Sequence, residues 1–182
     1  MNNPISNIAN FEELKSALDQ ITCLMLNTRL DQANVKFALA MAEKIMDTLG
    51  FEGRHKRKVF NVMMEMFWQI SRAQKLNLDD IPVFKCSIKK RDPLLYYKHQ
   101  AWNQEQIAYL KDDLDIVLSC ERAYSQVFYR DLFKKHDSSS MWFDLLIGFI
   151  DIIRMGNKNI FYQITPQEVG NPSFELLVQL DL

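Results

Sequence analysis

The sequence predicts an α+β protein in which helices cover one face of a mostly antiparallel sheet. Two observations support this class. Residues 58–74 carry apolar side chains at helical spacing, which is typical of an amphipathic helix. Residues 83–88 and 94–100 are instead predicted to form strands separated by a turn, and residues 160–165 and 174–180 predict a closing hairpin. A sheet with helices packed on one face would bury both patterns in one core.

The remaining elements follow from capping signals and apolar periodicity. Asp31 predicts the N-cap of a helix that ends at Gly50, and Asn103 predicts the N-cap of another. Further elements complete the order: a short helix at 11–19, a strand at 22–27, and helices at 104–118, 122–135 and 140–155. We interpret residues 1–20 as an N-terminal extension with a short helix, and residues 21–182 as a single domain.

Composition and charge exclude several classes of function. The chain has 182 residues, 48% of them hydrophobic, and a formal net charge of −1, so we expect a folded domain without general attraction to nucleic acid or anionic membranes. Its three cysteines are widely spaced, which indicates reduced cytoplasmic thiols rather than disulfides or a zinc site. No two of the five glycines form G-x-G, so the chain lacks a glycine-rich phosphate loop. No apolar run approaches the roughly 20 residues of a membrane span.

One pair of polar side chains stands out in the helix of residues 58–74. Glu65 and Gln69 are four residues apart, so we expect both on one face, opposite the apolar residues. A carboxylate followed one turn later by an amide is how one class of ATP site presents a base and a magnesium ligand. The alternative is an ordinary solvent-facing pair. Neighbouring Trp68 is expected in the core or an interface, or in the space that a nucleotide base would take.

The order of these elements and several short motifs resemble the SiaB-like family of bacterial signalling proteins, which shares the GHKL fold of gyrase and histidine kinases. The resemblance covers residues 21–182. Its motifs are the helix of residues 58–74, L-K-D-D-L-D at 110–115, Y-R-D-L-F-K at 129–134, G-F-I-D-I-I-R at 148–154, and the final hairpin. It implies a GHKL-like two-layer sandwich with a mostly antiparallel mixed sheet. It also implies a serine/threonine kinase or phosphatase switch that acts on a small regulator upstream of cyclic-di-GMP synthesis and biofilm formation.

Carried over position by position, the resemblance assigns roles to a few residues. Glu65 falls where the family has its catalytic glutamate, the general base. Gln69 falls where the family has its magnesium-binding asparagine, and its extra methylene suits a near-octahedral magnesium site poorly. In the glycine-rich lid, Asp144, Leu146 and Gly148 occupy the glycine positions. Asp144 would repel phosphates, so Gln69, Asp144 and Gly148 are the expected cofactor-binding residues of a degenerate pocket.

Three hypotheses follow from these residues. The first is a pseudokinase-like binding module that needs no cofactor and binds a protein partner, such as a SiaC-like regulator or a second copy in a homodimer. The missing glycines, asparagine and strand-end D-x-G motif favour it. The second is an active serine/threonine kinase or phosphatase that uses ATP and magnesium, with Glu65 as base, Gln69 on the metal and residues 137–148 as lid. The third is an α+β interaction protein unrelated to this family. In every case we expect a cytoplasmic protein with no nucleic-acid or membrane partner.

Overall fold

The computed structural model describes residues 4–21, 24–77, 79–88, 92–100, 102–119, 141–156 and 159–182. The elements in chain order are α1 (Pro4–Ile21), β1 (Leu24–Asn27), α2 (Gln32–Thr48), α3 (Gly53–Leu76), β2 (Val83–Ser87), β3 (Leu94–His99), α4 (Gln104–Ser119), α5 (Met141–Gly156), β4 (Ile160–Thr165) and β5 (Ser173–Gln179). The helix predicted at 122–135 lies outside the described residues. Within the described part of the chain, none of the helices is long and apolar enough to cross a membrane.

The five strands form one sheet in the order β1-β2-β3-β5-β4, and each neighbouring pair is antiparallel. Alternate residues of a strand point to opposite faces of the sheet. In β3, Leu95 and Tyr97 belong to the larger core on the inner face, whereas Leu94 and Tyr96 belong to a smaller core on the outer face. The predicted α+β class, with helices covering an antiparallel sheet, is confirmed.

Four helices form a layer on the inner face of the sheet. Helix α3 packs against both α2 and α5, and α5 also packs against α4. At one end of the layer α2 contacts β1, and at the other end the Tyr162 hydroxyl of β4 donates a hydrogen bond to Asp115 of α4. Because β1 and β4 are the edge strands of the described sheet, the layer runs α2-α3-α5-α4 from one edge to the other.

The larger core lies between this layer and the sheet, and α3 is its main helix. The predicted apolar face of α3 is confirmed, because all of its members are buried: Val59, Val62, Met63, Met66, Phe67 and Ile70. Burial of one such side chain stabilises the folded state by about 1.5–3 kcal/mol. Phe67 contacts the ring of Phe84 on β2, with the ring centroids 4.7 Å apart. The apolar face of α3 therefore fixes how this helix lies on the sheet.

The predicted helix ends of α2 and α4 are also confirmed. The Asp31 carboxylate accepts a hydrogen bond from the backbone N–H of Asn34 at 2.7 Å, and Gly50 follows α2 with a positive φ of 70°. At the start of α4, Asn103 Oδ1 accepts from the Gln106 N–H at 2.9 Å, and Gln106 Oε1 accepts from the Asn103 N–H at 3.0 Å. This reciprocal arrangement is a capping box.

Helix α1 lies on the outer face of the sheet and is longer than predicted. It begins at Pro4 rather than Phe11. The prediction stopped short, although Ile5, Ile8 and Ala9 continue a helical spacing ahead of Phe11. Its side chains Phe11 and Leu18 are buried against three residues of β3 and β5: Leu94, Tyr96 and Leu177. The sheet is therefore covered by four helices on one face and by α1 on the other.

A buried carboxylate ties α1 to the sheet. Glu175 of β5 accepts hydrogen bonds from Lys15 Nζ of α1 at 2.5 Å and from the Tyr96 hydroxyl at 2.8 Å, and Lys98 Nζ lies 3.5 Å from its other oxygen. Burial acts to raise the pKa of Glu175, but these hydrogen bonds and the two lysine charges outweigh burial and hold the pKa below its ordinary value. Charged side chains on the outer face thus link α1 to the sheet, and a strand pattern alone does not predict this link.

Candidate functional site

Helix α3 brings Glu65 and Gln69 together, as their spacing predicts. Gln69 Nε2 donates a hydrogen bond to Glu65 Oε1 at 2.8 Å. The expectation that both lie away from the buried side of the helix is wrong for Gln69, which is 0% exposed, while the Glu65 side chain keeps 23% of its surface. Trp68, expected in the core or an interface, is exposed. Gln69 is buried because α5 covers this part of α3, which helical periodicity cannot predict.

Gly148 of α5 lies directly against this pair. A Cβ atom at Gly148 would lie 1.5 Å from Gln69 Nε2 and 2.3 Å from Glu65 Oε1. Both distances are far shorter than real contacts of a Cβ atom, so only glycine lets α5 approach the Gln69 amide this closely. Three of the four residues predicted from the sequence, Glu65, Gln69 and Gly148, therefore meet at the contact between α3 and α5.

Arg72 joins the same contact, although the sequence analysis did not single it out. Its guanidinium donates a hydrogen bond to the backbone carbonyl of Asp144 at 3.2 Å and lies 3.6 Å from Glu65 Oε1. The available signal was its position seven residues after Glu65, which places it on the same face of α3 two turns later. The Asp144 carbonyl is thus bound to α3, whereas the Asp144 residue as a whole is exposed.

The residues predicted to form a lid belong to a helix. Helix α5 begins at Met141, so residues 141–148 form its first two turns rather than a loop, and residues 137–140 lie outside the described residues. Beyond the first turn of a helix, backbone N–H groups bond to carbonyls of the same helix. The N–H of Gly148 is therefore committed within α5, as it would not be in a loop that binds phosphate.

The chemistry of this cluster does not fit a magnesium–ATP site in the described conformation. The ligand oxygen would be Gln69 Oε1, which is buried and has no hydrogen-bond partner among the described residues. Contact with a bound metal would require α5 to move away from α3, because Gly148 lies against the same amide. The proposed base, Glu65, already accepts a hydrogen bond from Gln69 through Oε1. The arrangement suits a polar contact that holds two helices together.

A second polar cluster lies in the core at the end of β3. The His99 ring is buried, stacks on Tyr97 with ring centroids 5.4 Å apart, and meets the Trp102 ring edge-on at 4.0 Å. Its Nδ1 atom is 4.0 Å from Asp80 Oδ2. Burial lowers the pKa of His99 to about 3, so the ring is neutral at pH 7. Burial raises the pKa of Asp80, although a hydrogen bond from the Gln100 backbone opposes this shift.

Comparison with known proteins identifies the fold. The chain is similar to a chain in the structure described as the crystal structure of the SiaB–SiaC complex from Pseudomonas aeruginosa, with a TM-score of 0.73 and 13% sequence identity. The similarity covers 93% of this chain and 97% of that chain. No family profile and no curated protein matches the sequence. The resemblance to the SiaB-like family is thus supported at the level of the fold.

Proposed function

We propose that this chain is a bacterial signal-transduction protein that uses a SiaB-like, GHKL-type fold to bind a protein partner rather than to transfer phosphate. The observation that carries this proposal is the contact of Gly148 with the buried Gln69 amide. In this contact Gly148 covers the Gln69 amide that would hold the metal. The same amide donates a hydrogen bond to Glu65, the carboxylate that would act as base. In this proposal, Glu65, Gln69 and Gly148 couple α5 to α3 and have no catalytic role.

The proposed partner is a small SiaC-like regulator in a cytoplasmic pathway that controls cyclic-di-GMP and biofilm formation. Support comes from the structural neighbour, which is itself a complex of two proteins and covers almost the whole of this chain. A fold that is shared over 93% of the chain at 13% identity indicates that the shape is similar while most of the sequence differs. Binding through a retained fold does not require the ATP site to be intact.

The test is a calorimetric titration of the purified chain with a SiaC-like protein encoded by a neighbouring gene. We expect saturable binding without ATP, and we expect Glu65→Gln to leave the affinity unchanged, because Glu65 faces α5 in this proposal. Arg57→Gln, at an exposed position of α3, is a surface control with the same magnitude of charge change. Failure to bind without ATP, or a requirement for Glu65 in binding, would contradict the proposal.

A second candidate is the active ATP-dependent serine/threonine kinase or phosphatase. The observation that favours it is the 23% exposure of the Glu65 side chain, which leaves part of this carboxylate open to solvent. In that case Glu65 would accept the proton of the attacking serine or threonine hydroxyl of the partner. The γ-phosphoryl group of ATP would pass to that oxygen as its bond to the bridging oxygen breaks, and ADP would leave. Transfer of labelled phosphate to the partner, lost in Glu65→Gln, would establish this candidate in place of the first.

A further inference from the structure

Helix α4 presents an exposed stripe in which apolar and acidic residues alternate. Glu105, Tyr109, Asp112 and Ile116 follow one another at spacings of four, three and four residues, which places them on one line along the helix. All four are exposed, and Tyr109 keeps 61% of its surface. We call these four residues the α4 stripe. The neighbouring Asp115 is already bound within the chain, because Lys111 and the Tyr162 hydroxyl both donate to it.

Helix α2 presents a stripe of the same spacing but different character. Ala33, Phe37, Ala40 and Lys44 lie on its outward line, and all are exposed, with Phe37 keeping 63% of its surface. We call these four residues the α2 stripe, which Lys36 flanks. Two carboxylates of α2 form ion pairs with Lys56 of α3: Glu43 Oε1 lies 3.0 Å and Asp47 Oδ1 lies 2.6 Å from Lys56 Nζ. Lys36 and Lys44 therefore give the surface beside the exposed Phe37 a positive charge.

The two stripes face outward at opposite ends of the helix layer, since α2 lies at the β1 edge and α4 at the β4 edge. We propose that the α2 stripe of one copy of this chain binds the α4 stripe of a second copy. The two stripes are complementary: each has exposed aromatic and small or aliphatic residues, and their charges are opposite in sign. Such a contact is head-to-tail, so it generates a ring or an open chain of copies.

One antiparallel register of the two helices brings the stripes together. Setting Lys44 beside Glu105 places the large Tyr109 opposite the small Ala40 and Ile116 opposite Ala33. The same register sets Phe37 opposite Asp112, between Tyr109 and Ile116, and it brings Lys36 close to Asp112. Large side chains against alanines allow helices to approach closely, as in ridges-into-grooves packing. Because one helix pair buries less than about 1,000 Å², we expect weak, reversible association.

The experiment measures the mass of the full chain by sedimentation velocity over a range of concentrations. We expect the mean mass of the wild type to rise with concentration and to fall again as salt is added. A double charge reversal on α2, Lys36→Glu with Lys44→Glu, should weaken association by about tenfold or more. The reversal on α4, Glu105→Lys with Asp112→Lys, should do the same.

The decisive sample is an equimolar mixture of the two charge-reversed variants. In each variant the α2 stripe and the α4 stripe carry charges of the same sign, so each variant alone should be monomeric. In the mixture, each stripe can bind a stripe of opposite charge on the other variant, so association should return. The control is Glu12→Lys with Glu13→Lys, an exposed pair on α1 that gives the same change of net charge as the α4 reversal and should associate like the wild type. A wild type that stays monomeric at all concentrations, or a mixture that fails to associate, would overturn the proposal.

Discussion

Gly148→Ala should lower the free energy of unfolding by about 2 kcal/mol, although the same change in an unhindered helix interior stabilises by about 1 kcal/mol. The reason is that the added Cβ would lie 1.5 Å from Gln69 Nε2. The buried amide must then move and give up its hydrogen bond to Glu65. For a chain of this length the loss corresponds to a decrease in Tm of about 4–8 °C, measurable by calorimetry or circular dichroism.

A double-mutant cycle separates this contact from a general effect of alanine. Gln69→Ala alone removes a buried side chain and should destabilise the protein. Adding Gly148→Ala to Gln69→Ala should cost almost nothing or restore stability, because the new methyl group enters space that the amide has left. The two sites should therefore show a coupling free energy of about 1–3 kcal/mol. Equal costs of Gly148→Ala in both backgrounds would mean that Gly148 does not pack against Gln69.

Stability should fall steeply as the pH drops from 6.5 towards 4, and His99 should account for most of the slope. In the folded state burial lowers the pKa of His99 to about 3, whereas the unfolded chain binds a proton near pH 6.5. Between these values the unfolded state holds more protons, so the free energy of unfolding falls as the pH falls. One proton gives a slope of about 1.4 kcal/mol per pH unit. Urea unfolding at a series of pH values measures it directly.

Replacement of the imidazole identifies the source of the slope. His99→Phe and His99→Gln should both reduce the slope of the free energy of unfolding against pH, whatever their stability at pH 7. The control His55→Gln, at an exposed position of α3, should not change this slope. Three other groups act in known directions. The lowered pKa of Glu175 adds to the loss of stability in acid, and the raised pKa values of Asp80 and Asp151 offset part of it. An unchanged slope in both His99 variants would contradict a buried neutral imidazole.

Most of the fold could be predicted because its elements carry local signals. The apolar periodicity of α3, the capping side chains Asp31 and Asn103, and the period-two strands each depend on residues that are close in sequence. The length of helix α1 was underestimated although Ile5, Ile8 and Ala9 have helical spacing. Its place on the outer face depends on groups that are distant in sequence, such as Glu175.

Three of the four predicted site residues lie together, but Arg72 and the geometry of the contact were not predicted. The spacing of Glu65 and Gln69 fixes a common face of α3, but periodicity does not indicate which element covers that face. Gly148 was assigned to a lid through the resemblance, whereas in the structure it allows a close approach of two helices. The buried His99 was missed because a single histidine in a strand gives no sign of how deeply the strand lies.

The most direct test of a closed, non-catalytic contact is calorimetric titration of the purified chain with ATP in the presence of magnesium. We predict no saturable binding, either for the wild type or for Gln69→Asn. Asparagine is the shorter amide that the resemblance to the SiaB-like family implies at this position, but in this chain the site would still be covered by α5 and still lack the glycine-rich lid. Saturable, magnesium-dependent binding of ATP to the wild type would contradict the account, and binding to Gln69→Asn alone would show that the extra methylene, rather than α5, closes the site.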